Sequence, residues 1–440
     1  MLLIYTPKIT ARHRYIFKLI FRDILSIDIR ITVDAGELKS YDGPKINYSQ
    51  NPAGTDEIFF YSANLLSETG ISKQNITVID WKDGKAIYPI PHTSDVQDNS
   101  ALPFDPFAAS FYLVSRYEEY PHHSSYRHKR FCPEESLAYK NGFLSKPVIN
   151  IWVREIAEII KSKYPEFAFP ARSYQYISTI DIDNAYAFLE KGIMRTIGGF
   201  ARSVLYLDLY EAIDRIRVLS GQKKDPFDTY ELLFQIQQKY NLKPIYFFLL
   251  GDYGYKDKNV PYKSKKLQSL INSINEYAEA GIHFSYGSGK NSAKFKNEVN
   301  RLSGILNKDI TKSRQHFLQL YFPDTYRNLI DVGITDDYTM GYGSHIGFRA
   351  GICTQFYFYD LGLEQETNLK IHPFAVMDRT LKDHIKLAPD RVVAQIKQII
   401  DDVKKVDGTF ISLWHNQSLS GYREWVGWRE VYEQMVSVSC

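Results

Sequence analysis

The amino-acid sequence predicts an α/β protein in which mainly parallel strands form a distorted (β/α) barrel. From Tyr174 onward, short apolar runs alternate with stretches of helical apolar spacing, which is typical of repeated β–α units and of a parallel sheet. Acids and histidines also recur where these predicted strands end. Because loops interrupt the units too often for a regular barrel, we expect an incomplete or distorted one.

A smaller N-terminal α/β domain is predicted over residues 1–165. The segment LLIYT at its start has the composition of a strand. The segment DPFAASFYLVSRYEEY (105–120) is predicted to be a helix with Asp105 as its N-cap. Residues 163–174 carry two prolines between periodic segments, which indicates a boundary. The second domain is therefore predicted to span residues 174–440.

The strands and helices of the second domain are predicted in a regular order. The run KPIYFFLLGD (243–252) is continuous and apolar, as in a strand buried on both faces of a parallel sheet. A helix over 265–281 is expected to end at Gly281, because glycine favours the C-cap position. A helix over 389–408 leads into the final strand, TFISLWHN (409–416). The other predicted strands are YQYISTI (174–180), IHFSYGS (282–288), DITKSRQHF (309–317) and ITDDYTM (334–340).

Composition and charge argue against several classes of protein. The net charge of +3 provides no strongly basic surface, so we expect no nucleic-acid partner. No run approaches the roughly 18–20 apolar residues of a membrane span, and the N-terminus lacks a signal peptide's uninterrupted apolar stretch. We therefore expect a soluble, cytoplasmic protein. No metal site is expected at the histidines of the polar loop, His122, His123 and His128.

The polar residues at the predicted strand ends are the main functional signal. Asp181 and Asp183 are two residues apart, so on a strand both carboxylates face the same side. The carboxyl ends of the strands of a (β/α) barrel meet on one face, where active sites are built. We therefore expect these residues to converge. The other residues at predicted strand ends are Asp252, His283, Arg314, His316, Asp336, Asp337 and His415.

The order of these motifs resembles the polysaccharide deacetylases, carbohydrate esterase family 4 with its NodB-homology domain. A strand ending in Asp-Ile-Asp (181–183) is followed by FFLLG, by AGIHFSYG, by an arginine-bearing strand and by a terminal Leu-Trp-His. The resemblance covers about residues 174–420, and it is greatest to divergent members with an extra N-terminal domain. It implies a distorted (β/α) barrel of about seven strands.

The resemblance also implies a role for individual residues. Asp181 corresponds to the general base, and Asp183 to a ligand of a divalent metal. The implied metal is zinc, with nickel, cobalt and manganese as alternatives. His283 corresponds to a metal ligand, Arg314 to the arginine that orients the base, and His415 to the general acid.

The sequence departs from the family at the second metal-binding histidine, where Gly287 stands four residues after His283. Catalytic zinc prefers three protein ligands and a water molecule, so another ligand is needed. We favour His316, because Arg314 and His316 are two residues apart and an extended strand directs both to the same face. The alternatives are Ser285, Ser288 and a water molecule.

The activity implied is metal-dependent removal of N-acetyl groups from an oligo- or polysaccharide that contains amino sugars. Two alternatives stay open. The glycine at position 287 is also compatible with a lapsed enzyme that binds a glycan or a protein partner without turnover. A different metal-dependent amidase or phosphoesterase on the same scaffold is the other alternative.

Overall fold

The described residues form a mixed α/β fold with two mainly parallel sheets and a separate, short antiparallel hairpin. A computed structural model describes residues 1–54, 56–91, 98–121, 130–289 and 291–440. The loop histidines His122, His123 and His128 lie outside the described residues. The predicted α/β class and the predicted parallel sheet are confirmed.

The first sheet is small and entirely parallel. Its strands are β1 (Leu2–Tyr5), β2 (Ile29–Thr32), β3 (Lys45–Ser49) and β4 (Ile58–Tyr61). They pair in the order β2-β1-β3-β4. Strand β1 is the predicted first strand of the chain. Next, β5 (Val78–Trp81) and β6 (Gly84–Ile87) form an antiparallel hairpin.

Helices connect and cover the sheets. Asp105 caps the helix that follows it, as predicted, since its carboxylate accepts hydrogen bonds from the backbone N–H groups of Phe107 and Ala108. The α-helices are α1 (Ala11–Phe17), α2 (Ala35–Ser40), α3 (Pro106–Val114), α4 (Leu137–Lys140), α5 (Val148–Lys163), α6 (Ile193–Leu205), α7 (Leu209–Leu219), α8 (Tyr230–Lys239), α9 (Lys265–Asn275), α10 (Ser292–Leu306), α11 (Asp324–Asp331), α12 (Pro389–Lys405) and α13 (Trp428–Ser439). The π-helices are Lys18–Ile24 and Thr380–His384.

The second sheet has nine strands and carries the predicted site residues. Its strands are β7 (Gln175–Ile182), β8 (Ile245–Leu249), β9 (Glu279–Phe284), β10 (Lys312–Gln315), β11 (Asp336–Asp337), β12 (Phe356–Asp360), β13 (Gln365–Ile371), β14 (Val376–Met377) and β15 (Thr409–His415). They pair in the order β12-β13-β11-β10-β9-β8-β7-β15-β14. Within this sheet, the β12–β13 pair is antiparallel and the other described pairs are parallel. The carboxyl ends of β7, β9, β10 and β15 therefore lie at the same edge of the sheet.

The segment 370–377 hydrogen-bonds to residues near both ends of the sheet, at β11 on one side and at β15 on the other. On one side, His372 donates its backbone N–H to Asp337 and Phe374 donates to Met340. On the other side, the backbone N–H of Ala375 donates to the carbonyl of Ile411 in β15 at 3.0 Å. One stretch of chain thus hydrogen-bonds first along β11 and then along β15.

A second, small apolar cluster draws its side chains from several of these strands. It includes Phe247 of β8, Phe374, Met377 of β14 and Leu413 of β15, all nearly or completely buried. A much larger apolar core is shared between residues 1–165 and the second sheet. For example, the ring of Tyr359 lies 5.1 Å from that of Phe111.

One predicted helix end is wrong. The helix predicted to end at Gly281 ends at Asn275 as α9, and Gly281 lies inside strand β9. A Cβ atom at this position would lie 2.6 Å from the ring of Phe247 and 2.9 Å from the carbonyl oxygen of Lys312. Glycine is therefore needed to let two neighbouring strands approach. Separately, none of the described helices is both long and apolar enough to cross a membrane.

Candidate metal-dependent active site

Five of the six predicted site residues line one cavity of about 820 Å³ at the carboxyl ends of the strands. They are Asp181, Asp183, His283, His316 and His415. The sixth, Arg314, is completely buried behind Asp181. Residues 130–135, which lie before the second sheet in the chain, also line this cavity. The N-terminal region therefore shapes this cavity.

Asp183 lies at the centre of the site, immediately after strand β7. Its Oδ1 atom lies 3.1 Å from Nε2 of His283. Its Oδ2 atom lies 3.5 Å from Nε2 of His316 and 3.6 Å from Nε2 of His415. Burial raises the pKa of Asp183, but the nearby His316 and His283 outweigh burial and hold this pKa well below its usual range.

The backbone fixes the tautomer of His283. Its Nδ1 atom lies 3.1 Å from the carbonyl oxygen of Arg314 on the adjacent strand, β10. Because a carbonyl only accepts hydrogen bonds, Nδ1 carries the proton. In the neutral ring, Nε2 therefore presents its lone pair towards Asp183. A hydrogen bond of this kind, behind an imidazole, is the usual support for a metal-binding histidine.

His316 is directed into the site by the end of strand β10. His316 was predicted to lie on the strand. The strand instead ends at Gln315, and His316 follows it. Phe317 and Leu318 then take positive φ angles of 58° and 52°, a conformation that few side chains favour. This tight turn leaves the His316 ring facing Asp183.

Asp257 holds His316 in this orientation. The Nδ1 atom of His316 lies 2.9 Å from Oδ1 of Asp257. The Asp257 carboxylate also accepts the backbone N–H groups of Tyr286 at 2.7 Å and Gly287 at 2.9 Å. Burial raises the pKa of Asp257, but these hydrogen bonds and His316 lower it overall. An anionic Asp257 keeps the proton on Nδ1 and turns Nε2 towards Asp183.

The structure also shows what surrounds Gly287. A Cβ atom on this residue would lie 3.3 Å from Oδ2 of Asp257. The place next to Gly287 is therefore taken by the carboxylate that orients His316. The two serines considered as alternative ligands have other partners, because Ser285 Oγ donates to Glu298 and Ser288 Oγ donates to the carbonyl of Ser285.

Asp181 and Arg314 form a buried ion pair beside the cluster. Nη1 of Arg314 donates to Oδ1 of Asp181 at 2.7 Å and to the hydroxyl of Thr179 at 2.9 Å. Nε of Arg314 donates to the backbone carbonyl of Tyr338 at 2.9 Å. The arginine is thus fixed at three points, and it holds the Asp181 carboxylate in place. The other carboxylate oxygen, Oδ2, lies 3.7 Å from Nε2 of His283.

His415 ends strand β15 and is held by Asp378. Its Nδ1 atom lies 2.9 Å from Oδ1 of Asp378, and its backbone N–H donates to Oδ2 at 2.8 Å. The hydroxyl of Ser418 donates to the same carboxylate. Burial lowers the pKa of His415, but Asp378 and Asp183 outweigh it and raise this pKa to about 9. His415 is therefore poised to carry a proton on Nε2, facing the cavity.

Three side chains meet the requirements of a metal site. Asp183, His283 and His316 each offer a ligand atom, and these atoms lie within 4.8 Å of one another. Oδ1 of Asp183 is buried without a hydrogen-bond donor among the described residues. Two ligands of a tetrahedral zinc ion, each bonded at about 2.0–2.1 Å, lie about 3.3–3.4 Å apart. The separation from Oδ1 of Asp183 to His283 is 3.1 Å, and that from the other oxygen, Oδ2, to His316 is 3.5 Å, so both are near this value.

Other strand-end acids do not join the site. Asp252 is exposed and pairs with Arg301. Asp336 pairs with His372 at 2.8 Å. Asp337 is buried and accepts hydrogen bonds from the hydroxyls of Ser313 and Thr339. The partners of these acids therefore lie outside the group formed by Asp183, His283 and His316.

Two functional residues were missed from the sequence. Asp378 directly follows the short strand β14, so the signal that identified Asp183, an acid at the end of an apolar run, was present there too. Asp257 lies in a loop with no periodic pattern, where nothing in the sequence distinguishes it from its charged neighbours.

Comparisons with known proteins give partial matches. A model described as a family of unknown function (DUF7033) matches residues 2–165. No curated protein matches the chain.

Among solved structures, the chain is similar to a Mycobacterium smegmatis protein provisionally named a polysaccharide deacetylase, with 15% identity and a TM-score of 0.40. The match covers 62% of this chain and 85% of that one. The polysaccharide deacetylase Bc1974 from Bacillus cereus matches with 12% identity and a TM-score of 0.30, over 61% and 88% of the two chains.

A mutant of BA3943, a CE4-family pseudoenzyme with restored activity, matches with 12% identity and a TM-score of 0.27. This match covers 60% of this chain and 64% of that one. All three TM-scores lie below 0.5, so the function proposed below rests on the side chains of the site.

Proposed function

We propose that this protein is a metal-dependent hydrolase that removes N-acetyl groups from a glycan containing amino sugars. The observation that carries the proposal is the arrangement around Asp183. Two imidazole Nε2 atoms face its carboxylate, a carboxylate fixed by arginine lies on one side, and an imidazole fixed by Asp378 lies on the other. A metal site flanked by a candidate base and a candidate acid is suited to amide hydrolysis.

Asp183, His283 and His316 are proposed to hold the metal, with zinc favoured because of its preference for nitrogen and carboxylate ligands. When bound, the metal supplies a Lewis acid that polarises the acetyl carbonyl and lowers the pKa of a water molecule. The cavity of about 820 Å³ offers room for several sugar units beside these ligands.

Asp181 is proposed to accept the proton of the attacking water. Its Oδ2 atom is turned towards the cluster, while Nη1 of Arg314 donates to Oδ1 and fixes the orientation of the carboxylate. His415 is proposed to donate its Nε2 proton to the leaving nitrogen, so that the amine departs as a neutral group. The products are acetate and a free amino sugar.

We further propose that the nine-stranded sheet is a distorted barrel and that residues 1–165 act as an accessory domain. The first proposal is supported by the segment 370–377, which hydrogen-bonds along both β11 and β15. The second is supported by residues 130–135, which line the cavity together with the strand-end residues.

Metal content and turnover together test the proposed function. The purified protein should retain about one equivalent of zinc, nickel, cobalt or manganese, measured by inductively coupled plasma mass spectrometry. It should release acetate from N-acetylated chito-oligosaccharides, and a chelator should abolish this release until metal is returned. Binding of the oligosaccharide without acetate release, in a metal-loaded protein, would instead favour the lapsed-enzyme alternative.

A further inference from the structure

An unusually apolar surface lies on the helical hairpin formed by α6 and α7. Of the 22 large apolar side chains that are exposed in the described chain, 13 lie between Ile193 and Leu219. Soluble monomers rarely expose contiguous apolar patches of this kind without a binding function. We call the exposed apolar side chains of residues 193–219 the hairpin face.

The apolar residues of α6 follow the spacing of a helix that covers a core. Ile193, Ile197, Phe200 and Val204 lie on one stripe of the helix, at intervals of four, three and four residues. The side chains of this stripe are nevertheless 39–79% exposed. Ser203 is the only buried residue of α6. The stripe therefore faces away from the protein and has the pattern of a surface that something else covers.

The tip of the hairpin is its most apolar part. Leu205, Leu207 and Tyr210 are 78%, 82% and 87% exposed. Helices α6 and α7 have 13 and 11 residues, which is too short to cross a bilayer, since a crossing needs about 20 residues. Short amphipathic helices with such a face lie in the membrane interface instead.

The charge of the hairpin favours an anionic surface over a second copy of this chain. Residues 191–224, which are the two helices with their flanking residues, contain seven lysines and arginines and three acids, a formal net charge of +4, of which residues 193–219 carry +1; the whole chain has +3. The rest of the chain is therefore at −1. Two copies meeting face to face would bring two cationic hairpins together, whereas a bilayer with anionic lipids attracts each one.

The acids of the hairpin already have partners within the protein. Asp208 pairs with Arg423, Glu211 with Arg215, and Asp214 with Lys223. No acid lies between Lys191 and Leu207, where Arg202 is exposed. The hairpin therefore presents apolar side chains together with two exposed arginines, Arg202 and Arg217, that pair with no acid among the described residues.

The hairpin is joined to the wall of the candidate active site. Arg195 of α6 donates hydrogen bonds to the backbone carbonyls of Lys258 and Asn259, and its guanidinium lies 4.2 Å from the centre of the Tyr253 ring. In the same loop, Nζ of Lys256 lies 5.4 Å from the ring of Phe317, which lines the cavity. The loop also contains Asp257, the partner of His316.

We propose that the hairpin face docks on the surface of an anionic phospholipid bilayer, and that the substrate is an N-acetylated glycan anchored in that bilayer by a lipid. The part concerning the substrate rests on the proposed deacetylase function, whereas the docking does not. Exposed aromatic and cationic residues of the adjoining loop, such as Tyr255 and Lys258, extend the same surface towards the cavity.

Vesicle flotation of the full-length protein tests the docking. The protein should float with vesicles of phosphatidylcholine and phosphatidylglycerol, float poorly with phosphatidylcholine alone, and lose binding as salt is raised. The double variant Leu205→Glu/Leu207→Glu should lower the partition coefficient by at least about tenfold, because two apolar side chains are replaced by anions. Arg202→Glu should weaken binding to the anionic vesicles only.

A matched control is the double variant Leu363→Glu/Val426→Glu, which introduces the same two negative charges at positions that are 57% and 67% exposed but lie outside the hairpin. It should leave vesicle binding unchanged. Failure of the wild-type protein to bind anionic vesicles would overturn the docking. A dimer that the Leu205→Glu/Leu207→Glu variant dissociates, seen by light scattering, would also overturn it and assign the face to a second copy.

The substrate part has a separate readout. The double variant should keep wild-type metal content and wild-type release of acetate from soluble N-acetylated chito-oligosaccharides. It should lose at least about tenfold in release from an N-acetylated glycolipid embedded in anionic vesicles. Equal losses on both substrates would overturn the substrate part. A protein that binds vesicles but is inactive on both would leave docking in place and contradict the proposed function.

Discussion

The Asp378 carboxylate forms two hydrogen bonds with His415, one with Nδ1 of the ring at 2.9 Å and one with the backbone N–H at 2.8 Å. The carboxylate therefore sets both the direction of the imidazole and its proton affinity. Because Asp378 is completely buried, its charge is poorly screened by solvent. The pair determines whether Nε2 of His415 carries a proton above neutral pH.

The first prediction concerns this pair. Asp378→Asn should lower the pKa of His415, which is about 9 in the intact site. A general acid must be protonated to act, so the alkaline limb of the pH–kcat profile should move to lower pH. Metal content should not change. Asp383→Asn, a partly exposed acid elsewhere on the cavity wall, is the control and should leave the limb in place. An unshifted limb in Asp378→Asn would show that His415 is not the acid.

The second prediction separates catalysis from metal binding. Asp181→Asn keeps the size of the side chain but removes the proposed base, so kcat should fall by about 10²–10⁴-fold. Metal retention should persist, since the ligand atoms assigned to the metal belong to other residues. By contrast, Asp183→Ala should abolish retention, and His283→Ala should weaken it strongly. A loss below about tenfold in Asp181→Asn would contradict its role as base.

Much of the sheet could be predicted from the sequence because its strands are apolar runs that end in acids or histidines. Strand β8 is continuous and buried, and β15 follows an amphipathic helix. The end of α9 could not be predicted in this way. Gly281 looks like a helix C-cap, but it is needed because the ring of Phe247 fills the space beside it, and that contact exists only in the folded sheet.

In the candidate site, too, some residues could be predicted from the sequence and others could not. Asp181, Asp183 and His415 were predicted from their positions at strand ends, and the structure brings their side chains together. The contribution of Asp257 depends on a loop that folds back over the end of β9. Long-range contacts of this kind leave no local pattern, so the orientation of His316 could not be derived from its spacing to Arg314.

The third prediction tests whether His316 supplies the metal ligand that is missing at Gly287. His316→Ala should reduce metal retention, because it leaves two protein ligands where catalytic zinc prefers three. Gly287→His should partly restore retention in the His316→Ala protein. In the wild-type protein the same change should weaken retention, since a Cβ atom there would lie 3.3 Å from Oδ2 of Asp257 and disturb the support of His316.

Isothermal titration of zinc into the chelator-treated proteins measures both effects. Gly304→His controls for the added histidine, because Gly304 is an exposed residue of α10 where a Cβ atom would meet no heavy atom within 4 Å. This control should leave zinc affinity unchanged. Unchanged zinc affinity in His316→Ala would remove His316 from the ligand set.

The last prediction concerns stability at low pH. Burial raises the pKa of Asp336, but its hydrogen bonds to His372 and Thr335 outweigh burial and lower this pKa to about 2. The folded protein therefore binds fewer protons than the unfolded chain between about pH 2 and pH 4, so stability rises with pH across this window. The contribution is complete above about pH 4 and amounts to about 1–2 kcal/mol, since solvent screens part of the interaction.

Asp336→Asn should remove this share of the free energy of unfolding at neutral pH and flatten its fall below about pH 4. Urea unfolding at a series of pH values measures both effects. Asp309→Asn, at an exposed position, provides the control and should keep the wild-type pH dependence. An equal pH dependence in Asp336→Asn and the wild type would contradict a stabilising role for the Asp336–His372 pair, because the low pKa of Asp336 would then contribute nothing to folding.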